Sequence, residues 1–102
     1  MTKTEELLNR CITSTKELTD EMFSASRDTF ELINCKVSVY RRVANFLLEK
    51  SNTVIDEKLL TMIDDTIKGL EHAKGLSTIG FIEQKIEAFI DQDNFLADIK
   101  FQ

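Results

Sequence analysis

Leu8–Phe46 reads LNRCITSTKELTDEMFSASRDTFELINCKVSVYRRVANF, and whether this stretch forms one helix or two decides the fold. It contains neither proline nor glycine. The chain has no proline at all, and its first glycine is Gly69. Proline would remove a backbone donor and clash with the preceding turn. Glycine would add about 1 kcal/mol of entropic cost at each helical site. From Thr2 to Lys50, therefore, nothing forces the backbone out of a helix. With Leu8 at heptad position a, the seam runs Leu8, Cys11, Thr15, Leu18, Met22, Ala25, Thr29, Leu32, Lys36, Val39, Val43, Phe46. Nine of the twelve are apolar and no stutter interrupts the spacing, which predicts a long first helix over about residues 2–50. Such a helix would be roughly 70 Å long, more than one small chain can cover.

A second stripe lies beside the seam: Ile12, Phe23, Phe30, Ile33, Val37, Tyr40, Ala44 and Leu47. Together the two make a face too wide for a two-stranded seam, so this region needs more than one neighbour. The competing reading breaks the helix somewhere in 13–26. Ser14-Thr15-Lys16-Glu17 has capping-box spacing, and Ser24-Ala25-Ser26 is rich in weak helix formers. That break would give a compact four-helix bundle.

The second half is punctuated more clearly. Ser51-Asn52-Thr53 reads as a turn that opens a helix over about 53–74, with Ile55, Leu59, Met62, Ile63, Ile67 and Leu70 on one face. Gly75 suits a left-handed stop, and Ser77 a cap for a helix over about 77–91 carrying Ile79, Ile82, Ile86, Phe89 and Ile90. Asp91-Gln92-Asp93-Asn94 reads as a break before a short C-terminal helical turn, Phe95–Phe101. The expectation is one all-α domain over 1–102, a helical bundle that dimerises through its first helix.

Composition narrows the function classes. Net charge is −5, and its distribution is uneven. Residues 1–51 hold eight basic and eight acidic side chains, whereas residues 52–102 hold five and ten. An acidic second half disfavours a nucleic-acid backbone, whose binding depends on basic patches that release counterions. Lys36 with Arg41-Arg42 is the one basic cluster. No segment approaches the roughly 20 apolar residues of a membrane span. The first residues lack the apolar core of a signal peptide. The expected location is the cytoplasm, of the host if the chain is viral. Cys11 and Cys35, as two unpaired thiols, fit a reducing compartment.

No catalytic, cofactor or metal constellation stands out. His72 is the single histidine, and Asp65 lies two helical turns away from it, too far to share a metal. Asp91-Gln92-Asp93-Asn94 lacks the central glycine and the closing glutamate of a calcium loop. The glycines are spaced as helix punctuation, not as a phosphate cradle.

Arg10 and Arg27 have a spacing that resembles the arginine pair of all-α chorismate mutases. Those are long-helix dimers that hold a dicarboxylate. The resemblance implies a small-molecule-binding dimer or enzyme using these two arginines. It stops at the pair. The family's Leu-rich pattern is missing between them, Glu49-Lys50-Ser51-Asn52-Thr53 stands where its Arg/Asp-rich turn belongs, and Gln84 and Gln102 sit in no matching motif.

The reading that remains is a non-enzymatic interaction protein: a small bacterial or phage regulator, inhibitor or adaptor that buries apolar helix faces against itself and a protein partner. Self-association is expected along Leu8, Leu18, Met22, Leu32, Val39 and Val43. Partner binding is expected at Phe95, Leu96, Ile99 and Phe101. A third reading lays the amphipathic stripe on a membrane or granule surface, although such helices normally carry Lys and Arg along the polar face.

Overall fold

Thr2 starts the first helix. Its backbone is extended and its hydroxyl accepts a hydrogen bond from the Glu5 N–H at 3.1 Å, while Glu5 and Glu6 complement the positive end of the dipole. The computed structural model describes residues 2–50 and 55–100, with side chains described through Asp91. The described residues form four helices: α1 Lys3–Met22, α2 Arg27–Glu49, α3 Glu57–His72 and α4 Leu76–Lys100.

The long first helix is not continuous. It breaks after Met22, and α2 folds back along α1, which is the four-helix alternative with its break at the Ser24–Ser26 end. No glycine or proline is needed for this. The last turn of α1 tightens, with Ser24 N–H donating to Glu21 O and Ala25 N–H to Met22 O. Ser26 is extended (φ −66°, ψ 166°) and caps α2, its hydroxyl accepting from Thr29 N–H and donating to Thr29 Oγ1 at 3.0 Å. A serine in a helix interior loses only a few tenths of a kcal/mol against alanine, so the residues at 24–26 permit a break without enforcing one. Packing decides. The wide apolar face of α2 needed a second neighbour, and α1 is that neighbour. The molecule measures 50 × 29 × 18 Å, so a 70 Å helix has no place in it.

Three other boundaries differ from the sequence reading. Helix α3 starts at Glu57, later than residue 53, because the Asp56 carboxylate takes the capping role by accepting from Lys58 N–H at 2.8 Å. It ends at His72 without a left-handed glycine: Gly75 has negative φ, and its carbonyl accepts from Ile79 N–H, so it serves the start of α4 rather than the stop of α3. Helix α4 then runs past Asp91 to Lys100. Asp and Asn are weak helix formers, but without a proline or glycine they do not stop a helix that is already propagating.

Each helix contributes a stripe to one core. Helix α1 gives Leu7 and Cys11, α2 gives Val39, Tyr40, Val43, Phe46 and Leu47, α3 gives Ile63, Ile67 and Leu70, and α4 gives Ile79, Ile82, Ile86 and Phe89. The three-and-four spacing of these positions is what makes each helix one-sided. Phe46 and Phe89 meet edge to face, centroids 5.9 Å apart, and tie α2 to α4. Among the described residues no polar or charged side chain is buried. The α1–α2 pair carries an arm beyond this core, ending in the 23–26 connection.

Candidate functional site

Two arginines from the first half of the chain hold the second half in place. Arg10 on α1 donates from Nη1 to Asp64 Oδ1 at 2.6 Å and from Nη2 to Glu71 Oε1 at 3.1 Å, both on α3. Asp64 and Glu71 are seven residues apart, two turns along one face, so a single guanidinium fork spans both. Lys3 and Lys68 add longer contacts to Asp64 Oδ2, at 3.4 and 3.6 Å. The hydrogen bond from Arg10 holds the Asp64 carboxyl below its ordinary range, and the same bond raises the Arg10 guanidinium. Arg42 on α2 reaches Glu83 and Glu87 on α4, at 3.1 and 2.6 Å, in a more exposed position.

Arg10 is therefore committed to the fold. Arg27 is exposed at the first residue of α2, beside the end of α1, and Arg10 lies about 18 Å back along α1 from that end. The structure does not bring the two together within one chain. The nearby thiol and phenol are both buried. Burial pushes Cys11 up to about 12 and Tyr40, beside Ser14, up to about 12. Both cysteines are free. Among the described residues no group of three His, Cys, Asp or Glu side chains is placed to hold a metal, and no helix is long and apolar enough to cross a membrane.

The expected self-association seam is largely used within the chain. Val39 and Val43 are in the core, Leu8, Leu18 and Leu32 pack half-buried against it, and Met22 is half-buried at the end of α1. The reason is the hairpin, which pairs the two halves of the seam with each other. Phe95, Leu96, Ile99 and Phe101, expected to bind a partner, lie outside the described side chains; the helical backbone of α4 covers the first three.

What the outside of the bundle offers is apolar. Phe23, at the tip of the arm, is 88% exposed, Phe30 on the same arm is about half exposed, and Ile12, further back beside Cys11, is 42% exposed. Elsewhere, α3 and α4 leave a groove of about 420 Å³ between them. Its walls are Met62, Asp65, Thr66 and Gly69 from α3 and Ile82, Lys85, Ala88 and Phe89 from α4. The Thr66 hydroxyl donates to Met62 O at 2.7 Å, so the floor presents little unsatisfied polarity. Met62 and Phe81 stand on the rims, 50% and 59% exposed. Sequence spacing places Met62 on the core face of its helix, whereas the packing of α3 against α4 leaves it at the edge of the groove.

No protein-family model, curated protein or solved structure matches this chain.

Proposed function

We propose that this protein is a non-enzymatic helical interaction module, a small regulator or adaptor that works by burying apolar helix surface against a protein partner and against itself. One observation carries the reading. Phe23 holds a full aromatic ring in water at the tip of a two-helix arm, on a chain whose core is already closed without it. Burying such a side chain contributes about 1.5–3 kcal/mol, and Phe30 on the same arm adds to it. Arg10 and Arg42 are engaged in ion pairs within the fold.

The test is partner capture from the native cell with wild-type protein and Phe23→Asp compared side by side. The exposed position predicts unchanged helicity and melting for the variant, with the captured chain lost. Equal capture by a folded Phe23→Asp removes the arm as the binding surface. Deleting residues 95–102 asks the same question of Phe95, Leu96, Ile99 and Phe101.

A further inference from the structure

We infer that the α3–α4 groove is the surface on which a second copy of this chain docks, with Asp65 of each copy meeting Lys85 of the other across a two-fold axis. This rests on the interaction-module reading and names the partner for one of its two surfaces.

Charge selects the occupant. The chain as a whole carries −5, which opposes the approach of two copies at long range, so the attraction has to be local to the groove. Its walls carry one acid, Asp65 on α3, and one base, Lys85 on α4. Among the described residues no ion pair joins them, and the Lys85 ammonium instead lies over its own Phe81 ring at 4.7 Å. The surface that complements one acid facing one base is the same surface turned by 180°, because in an isologous contact residue i meets j and j meets i. Two such pairs then form per dimer. The rims supply apolar contact, Met62 and Phe81, each at least half exposed in the single chain.

The experiment uses the full chain in sedimentation equilibrium, with helicity and melting as folding controls. Wild type self-associates. Asp65→Lys puts two bases, and Lys85→Glu two acids, into each copy's groove, so each variant alone associates at least about tenfold more weakly. Mixed one to one, the two form a heterodimer in which both pairs are restored, with affinity near that of wild type. Both substitutions are at exposed positions. Phe81→Glu, on the rim, weakens the dimer independently of the charge pair. A wild-type chain that stays monomeric to millimolar concentration overturns the inference while leaving capture through Phe23 standing. So does a dimer that neither swap weakens, or a mixture that does not associate. Loss of foreign-partner capture in Asp65→Lys, with self-association unchanged, assigns the groove to another protein's helix instead.

Discussion

Replacing Ser26 with alanine separates the two causes that put the break after Met22. Ser26 Oγ lies 3.4 Å from Thr29 N and 3.0 Å from Thr29 Oγ1, so the substitution removes the cap that starts α2. Loss of a serine cap costs about 1 kcal/mol, within a range of about 0.5–2. For a chain of this size that lowers the melting temperature by roughly 4–8 °C. Opening the hairpin is a different order of loss. It would expose Leu7, which is fully buried, together with Leu8 and Leu18, at about 1.5–3 kcal/mol for each fully buried side chain. It would also release Arg10 from α3. Packing therefore outweighs the cap several-fold, and Ser26→Ala keeps the hairpin. Circular dichroism melts read the first expectation. Small-angle scattering on the monomeric fraction reads the second, as a molecule no longer than that of wild type, whose long dimension is 50 Å. A lower melting point with unchanged dimensions supports the account. A variant that extends toward 70 Å would refute it, since the cap, and not the burial of α1 on α2, would then be setting the fold.

Further outcomes follow from the same contacts. Gly80→Ala has open space for its methyl and no positive φ to strain, so it raises stability by up to about 1 kcal/mol in urea melts of the monomer. Ile67→Ala leaves a cavity at a fully buried site on α3 and costs about 2–5 kcal/mol, measured as a shift in urea midpoint at unchanged slope. The Asp64 carboxyl is held below its ordinary value, so its contribution is fully present above about pH 4 and is lost as pH falls through the lowered folded value. Arg10→Met should cost about 1 kcal/mol near neutrality and flatten the acid limb of a stability–pH curve, and an unchanged limb would remove Arg10 as the cause. Cys11, buried and pushed up to about 12, stays unreactive to a disulfide reagent in the native protein, so at most one thiol is counted until denaturant exposes both.

Much of the architecture was legible in local signals. The apolar stripes of α3 and α4, with Ile63, Ile67, Leu70, Ile79, Ile82, Ile86 and Phe89, follow directly from spacing and are the residues the core uses. The hinge was legible only in part. Ser24-Ala25-Ser26 breaks a helix when tertiary burial rewards the break, and burial is not a local property. The sign of it was the width of the face around Ile33, Val37, Tyr40 and Leu47, all of which are buried. That width demanded a second neighbour, and the chain supplied its own. Gly75 misled because a glycine after a helix suggests positive φ, whereas here the following helix starts at once and uses its carbonyl. The groove was beyond sequence reasoning, since it depends on how α3 and α4 pack together.

The uneven charge of the two halves has a physical account in the ion pairs. Residues 52–102 carry ten acids against five bases, which reads as a surface for a basic partner. Four of those ten acids, Asp64, Glu71, Glu83 and Glu87, are turned onto Arg10 and Arg42 from the first half. Each arginine faces two carboxylates, so much of the surplus closes α3 and α4 against α1 and α2. It works as a pair of staples between otherwise apolar helices, where directional contacts fix register that burial alone leaves loose. Asp65 is one residue along from Asp64 and so about 100° around the helix. It therefore faces away from Arg10 and into the groove, where its counterpart is Lys85. The same helical turn that secures α3 to α1 with one aspartate sends the next one outward. Substitutions at the two positions should consequently separate, with Asp64→Asn lowering the melting temperature and Asp65→Asn leaving it unchanged while weakening self-association.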